Sequence, residues 1–187
     1  MKTPIAKISA EQFHHIEVPG GIRLELVDGE LIVSPSPRSH HSRVVIHLIG
    51  ILHAHIEAHN LGQLFTELDT EFSSFDVRRP DLMFVTKEQL KKMDPDSAAS
   101  SGDVELAVEV ISPSSERTDR KIKFQQYAKA GIRYYWIVDP QCRTFEAYEL
   151  AGESYCLQLK ADGDAVVRAK PFTELAIPLQ KLWWRER

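Results

Sequence analysis

Apolar positions change period several times along the chain, and each change marks an element. Ile22, Leu24 and Leu26 alternate with Arg23 and Glu25, the two-residue period of a half-buried strand. Asp28-Gly29 supplies the turn of a hairpin over Ile22–Val33. Ser34-Pro35-Ser36-Pro37 ends it, because proline cannot join a sheet ladder. From Ser39 to His59 the spacing becomes three and four: Val44, Val45, Leu48, Ile51, Leu52 and Ile56 form the stripe of a long helix. Asn60-Leu61-Gly62 is its stop. Leu64–Phe72 and Asp81–Val85 read as strands, and Thr86 caps a short helix over Lys87–Met93.

Val104–Ile111 (VELAVEVI) has strong strand propensity. Its face of Val104, Leu106, Val108 and Val110 is wholly apolar, opposite Glu105, Ala107, Glu109 and Ile111. A second helix is predicted from about Arg117 to Ala130, with Gly131 as its stop. Tyr134–Val138 is an aromatic and branched strand closed by Asp139-Pro140. Short antiparallel strands follow from Arg143, turning at Ala151-Gly152 and Asp162-Gly163. Strands, helix, strands, helix, strand, hairpins describe an α/β (α+β) fold with a mixed sheet.

The chain has 187 residues, the size of one domain, and we read 1–187 as a single unit. Two cysteines, Cys142 and Cys156, supply neither a disulfide framework nor a four-thiolate zinc site. Met1–Ala10 lacks the apolar run of a signal peptide. No stretch approaches the ~20 apolar residues of a membrane helix. These features predict a cytoplasmic protein that does not engage a membrane. The net charge of −4 argues against electrostatic coating of nucleic acid, but leaves room for a local basic site.

Three residues are not explained by folding alone. Asp81 follows Pro80 at the start of an apolar strand, as the end of a loop or as a ligand. Glu109 lies late in a strand of apolar neighbours, where an unpaired carboxylate is expensive to bury; otherwise it faces outward with Glu105. Two acids on adjacent strands repel unless a cation lies between them, and hard oxygen ligands with open positions suit magnesium. On a wheel of the second helix at about 100° per residue, Ala130, Tyr127, Phe124 and Ala128 define an apolar arc. Lys123 falls inside that arc, Lys121 just beyond its edge. A lysine there either snorkels outward or pairs with a buried acid. Ser112–Arg133 carries six basic residues against two acidic ones; this is a solvated helix face or an approach for a polyanion. Of the histidines on the first helix, His47, His53, His55 and His59 read as surface residues, and His41 at its opening turn stands apart. No glycine-rich phosphate loop and no GxSxG elbow is present.

Several segments, in this order, resemble one family: Glu25-Leu26-Val27-Asp28-Gly29-Glu30, Arg79-Pro80-Asp81-Leu82, Glu109-Val110-Ile111-Ser112-Pro113-Ser114, and Tyr135-Trp136-Ile137-Val138-Asp139-Pro140. With a lysine on the helix after Glu109, they resemble the PD-(D/E)XK nuclease superfamily, and within it the restriction-endonuclease-like Uma-two family. The resemblance spans roughly residues 25–182. The simple ExK pattern would place lysine at position 111, which is Ile111. The family displaces it onto the following helix, where Asp119-Arg120-Lys121-Ile122-Lys123 matches with Lys123 as the lysine and Lys121 as the fallback. Ser42 stands where the family often has glutamine after His41.

The resemblance implies a restriction-endonuclease-like mixed central sheet flanked by helices, with added antiparallel hairpins. It also implies Mg²⁺-dependent (or Mn²⁺-dependent) hydrolysis of phosphodiester bonds in DNA. Asp81, Glu109 and the Val110 carbonyl would hold the metal, and Lys123 would orient the attacking water or neutralise developing charge. Glu25, His41 and Lys121 are supporting candidates, Arg117 and Arg120 candidates for nucleic-acid contact. Cutting two strands with one site per chain favours a homodimer. The competing readings are a catalytically silent nuclease-fold binding module and an unrelated magnesium phosphohydrolase acting on nucleotides.

Overall fold

The computed structural model describes residues 7–18, 22–34 and 36–184. Pro35 of the expected strand stop, and Met1–Ala6, lie outside the described residues. A short helix α1 (Ala10–His14) precedes the hairpin β1 (Arg23–Val27) and β2 (Glu30–Ser34), whose register pairs Val27 with Glu30 across Asp28-Gly29. Both turn residues have positive φ, 49° at Asp28 and 79° at Gly29, as a two-residue hairpin turn requires. The long helix α2 (Ser39–His59) follows, buries Val44, Leu48, Leu52 and Ile56, and ends on left-handed Asn60. The next strands are β3 (Gly62–Phe65), β4 (Thr70–Ser73), β5 (Asp76–Arg78) and β6 (Leu82–Thr86). Helix α3 (Lys87–Leu90), with its Thr86–Gln89 capping box, leads to β7 (Ala99–Ser100) and β8 (Leu106–Val110). A π-helical turn, Thr118–Lys123, continues into α4 (Phe124–Lys129). The chain closes with β9 (Tyr134–Asp139), β10 (Thr144–Ala151), β11 (Ser154–Asp162), β12 (Val166–Ala169) and β13 (Phe172–Pro178).

The central sheet runs β11-β10-β9-β8-β6-β3 and is mixed: β8–β9 is parallel and its other neighbours are antiparallel. Strand alternation gives it two apolar faces. Leu82, Phe84, Leu106, Val108, Trp136 and Val138 pack with the α2 stripe. Met83, Ala107, Tyr135 and Ile137 pack with Tyr127 and Ala128 of α4. Glu109 therefore lies beneath α4 and not in solvent. A second sheet, β2-β1-β5-β4-β7, carries Glu25 and Arg78.

Two expectations about elements change. The predicted strand Leu64–Phe72 is two strands in different sheets: β3 pairs with β6, and β4 with β5 and β7. Between them Glu67 takes φ 58°, which breaks the extended run; it then meets Arg23, and Asp69 holds Arg79. The second helix is α-helical only from Phe124 onward. Its first part is wound as a π-helix, a form that recurs at functional sites.

Candidate active site: a buried carboxylate–lysine cluster

β6 and β8 pair antiparallel with Leu82 opposite Val108 and Met83 opposite Ala107. One step further along that register sets Asp81 against Glu109. Asp81 is fixed through a single oxygen. Its Oδ2 accepts the Val110 N–H at 2.8 Å and the His41 Nε2–H at 3.0 Å, leaving Oδ1 out of both bonds. Burial works to raise its pKa, but the His41 bond and charge, then Lys123 and the Val110 N–H, outweigh it, so Asp81 is held below the usual carboxylate range.

Glu109 is likewise held by one oxygen. Its Oε1 accepts the Tyr127 hydroxyl at 2.6 Å and meets Lys123 Nζ at 2.9 Å, while Oε2 takes part in neither. Only 2% of Glu109 is exposed. Burial first, then the charges of Asp119 and Asp81, push it well above the usual range despite Lys123 and Tyr127.

Lys123 is 6% exposed and surrounded by acids. Besides Glu109, its Nζ lies 3.6 Å from Asp119 Oδ1 and 3.7 Å from Glu25 Oε1. Burial works against its charge, yet Glu109, Glu25, Asp119 and Asp81 together hold the ammonium well above its ordinary pKa. It cannot serve as a base near neutral pH.

Glu25 is committed on both oxygens. Oε2 accepts from Arg78 at 3.0 Å and Oε1 from the Arg79 N–H at 3.4 Å. Burial raises its pKa less than Lys123 and Arg78 lower it. Arg78 in turn donates twice to Gln126 Oε1, at 2.8 and 3.1 Å, and Gln126 donates to Asp76. The second sheet is thereby tied to α4.

These groups line one cavity of about 340 Å³, together with Ser112, Ser114, Ser115 and Thr118. Arg23 and Arg79, also on its wall, are matched by Glu67 and Asp69. What remains is four carboxyl groups (Glu25, Asp81, Glu109, Asp119) against two permanent cations, Arg78 and Lys123, with the His41 ring beside Asp81. With all four carboxyls ionised and the His41 ring uncharged, the formal surplus of two negative charges would match one divalent cation. Among the described residues no three His, Cys, Asp or Glu side chains are grouped so as to hold a metal by themselves. Two carboxylate oxygens plus a backbone carbonyl, with water and phosphate completing the shell, is the arrangement magnesium favours. The donor set fits it.

Asp81, Glu109, Lys123, Glu25 and His41 thus share the cavity, and Val110 lines it. Lys121 and Arg117 are exposed and outside the lining. Arg120 is also outside it, with Glu146 at 2.7 Å and Asp139 at 3.8 Å. Sequence reasoning did not single out Asp119, which is 1% exposed. A weaker signal was available: Asp119 precedes Lys123 by four residues, so the same wheel sets it beside Lys123, just beyond the Ala130 edge of the apolar arc. Arg78 and Gln126 carried no such signal.

The model of the Uma2 family, whose description is "Putative restriction endonuclease", matches residues 10–180. Among solved structures, the chain is similar to a protein from Anabaena variabilis ATCC 29413 described as a putative nuclease belonging to DUF820. The TM-score is 0.74 and the identity 20%, covering 94% of this chain and 97% of that one; at that identity the likeness shows the fold. No curated protein matches the chain. With the family model spanning nearly its whole length, the chain belongs to the Uma2 family of restriction-endonuclease-like proteins.

Proposed function

We propose that this protein is a Mg²⁺-dependent endonuclease that hydrolyses phosphodiester bonds in DNA, acting as a twofold pair in the cytoplasm, with Mn²⁺ able to replace Mg²⁺. The observation that carries this reading is the cavity in which Asp81 and Glu109 each keep one oxygen outside their hydrogen bonds, beside a buried ammonium and a formal surplus of two negative charges. Asp81 Oδ1, Glu109 Oε2 and the Val110 carbonyl would hold the ion. When bound, it polarises the scissile phosphate and lowers the pKa of a coordinated water.

The remaining work falls to the chain's own groups. Lys123, kept charged by its acids, donates to the attacking water or to the phosphate oxygen on which charge develops. His41 and the Val110 N–H fix the rotamer of Asp81, and Tyr127 fixes that of Glu109. The hydroxyls of Ser112, Ser114, Ser115 and Thr118 line the approach and can donate to phosphate oxygens. Arg117 and Lys121, exposed on the adjoining turn, supply sequence-independent backbone contacts.

Nicking of supercoiled plasmid tests the reading: cleavage that needs Mg²⁺ or Mn²⁺, stops with EDTA and is lost in Asp81→Asn is the expected result. One observation favours the silent binding module instead, namely that Arg23, Arg78, Arg79 and Lys123 on the cavity wall are all paired with acids. DNA binding without cleavage under any divalent metal would establish that alternative.

A further inference from the structure

Lys123 has three N–H donors, but among the carboxylates of the described residues only Glu109 Oε1 lies within hydrogen-bond distance of its Nζ. Two more acceptors stand just beyond, and they differ. Glu25 Oε1, at 3.7 Å, already receives the Arg79 N–H, and Oε2 of the same carboxylate receives Arg78. Asp119 Oδ1, at 3.6 Å, is buried and has no hydrogen-bond partner among the described residues. A buried acceptor left unfilled is costly; the Ser115 hydroxyl also acts on this carboxyl, and the Lys123 ammonium at 3.6 Å is a cationic donor able to fill Oδ1.

The surroundings of Asp119 are built to keep it in place. The Tyr135 hydroxyl donates to its backbone carbonyl at 3.1 Å. The π-helical turn Thr118–Lys123 carries Asp119 and Lys123 together, four residues apart, on the side facing the cavity. A shift of the ammonium by less than an ångström, on the flexible end of a lysine side chain, would complete the bond.

We propose that Asp119 is a positioning residue, the second seat of the Lys123 ammonium. When a divalent ion draws on Glu109 and weakens its hold on Lys123, the ammonium passes toward Asp119 Oδ1 and stays in the site. Without that seat the ion and the lysine compete for one carboxylate. This rests on the metal reading proposed above and adds that ion binding and lysine placement are coupled through a residue that does not itself hold the ion.

Mn²⁺ titration of the DNA-free protein, followed by calorimetry or by the electron paramagnetic resonance signal of free Mn²⁺, tests it without reference to activity. Four proteins are compared: wild type, Asp119→Ala, Lys123→Gln, and the double variant. Coupling of this kind predicts that Asp119→Ala weakens Mn²⁺ binding about tenfold when Lys123 is present and less than about threefold when it is Gln. Asp119→Ser replaces Asp119→Ala should the latter not fold, with thermal unfolding as the check. Equal losses in both backgrounds would overturn the proposal, since Asp119 would then act on the ion directly. An unchanged affinity with only a lowered melting temperature would overturn it in favour of a structural role. If the wild type binds no Mn²⁺ at all, the metal reading itself falls, and the second seat with it.

Discussion

Asp81 Oδ2 accepts the Val110 N–H at 2.8 Å, so the carboxylate that opens one strand is bonded to the last backbone amide of its neighbour. The bond explains how a loop-end aspartate becomes rigid. Pro80 places Asp81 at the strand start, and β8 ends where its amide can reach back. Asparagine with its amide oxygen in the place of Oδ2 can accept both the Val110 N–H and the His41 Nε2–H. Because folding holds Asp81 below the usual carboxylate range, its charge is favourable in the folded state at neutral pH, and the neutral amide forfeits that gain. We therefore expect Asp81→Asn to fold with a modestly lower melting temperature near pH 7 and a difference that shrinks as pH falls, while plasmid cleavage is lost. A large fall in melting temperature would mark Asp81 as structural.

Glu25 and Arg78 behave as a pair that holds the second sheet to α4. Arg78 is 2% exposed and bonded to Glu25 and Gln126. Removing one partner of a buried ion pair leaves the other uncompensated, at a cost of about 3–5 kcal/mol. Arg78→Ala and Glu25→Ala should each lose stability on that scale in urea unfolding. The double variant should lose much less than their sum. Additive losses would mean the two side chains are not coupled.

Arg120 and its neighbours on the π-helical turn separate by the same logic. Arg120 lies against Glu146, a residue 3% exposed that also accepts from Tyr148 and meets Lys160. Burial raises the Glu146 pKa, but Lys160, Tyr148 and Arg120 outweigh it and hold it below the usual range. A depressed folded pKa gives stability that is present above the unfolded value and lost as pH falls through the folded one. Glu146→Gln should therefore flatten the acid limb of a plot of melting temperature against pH. Arg120→Ala should lower stability with little change in DNA affinity. Arg117→Ala and Lys121→Ala should do the reverse, each reducing the salt dependence of binding by about one unit of slope. An Arg120 variant that loses DNA affinity at unchanged stability would contradict this division.

Much of this arrangement is legible in the order of the amino acids, and particular residues show why the rest is not. Glu109 and Lys123 stand out because each violates a local apolar pattern, and such violations are conspicuous in one dimension. Glu25 and Arg78 violate nothing: one alternates correctly in a strand, the other precedes Arg79 and Pro80, and their meeting depends on how two sheets stack. The division of Leu64–Phe72 is hidden for a similar reason, since both halves have strand propensity and only pairing partners assign them to different sheets. The π-helical winding is invisible to a wheel drawn at a fixed angle. The wheel still found Lys123, because Lys123 and Tyr127 remain four residues apart across the join with α4.

The strongest test concerns Lys123 itself, to which the proposed function gives one duty and its ion pairs with Glu109, Asp119 and Glu25 a second. As the stabiliser of developing charge, its replacement by methionine should lower the single-turnover cleavage rate about 100- to 1000-fold, with DNA affinity little changed. Lys121→Met, on an exposed side chain, should leave the rate near wild type. As the counter-charge for Glu109, Asp119 and Glu25, Lys123 also holds the fold together at neutral pH. Glu109 already has a raised pKa from burial and from its acidic neighbours, and losing the ammonium raises it further. An acid whose folded pKa lies above its unfolded value is most favourable when protonated. Its penalty is absent below the unfolded pKa and grows as pH climbs toward the folded one. The stability gap between wild type and Lys123→Met should thus be about 3–5 kcal/mol near pH 8 and should narrow steadily toward pH 5. Adding Glu109→Gln should close much of it at pH 8, because the uncompensated charge is then gone. Thermal unfolding of the three proteins across that range decides the matter. A gap that does not change with pH would show that Lys123 contributes packing and no charge compensation.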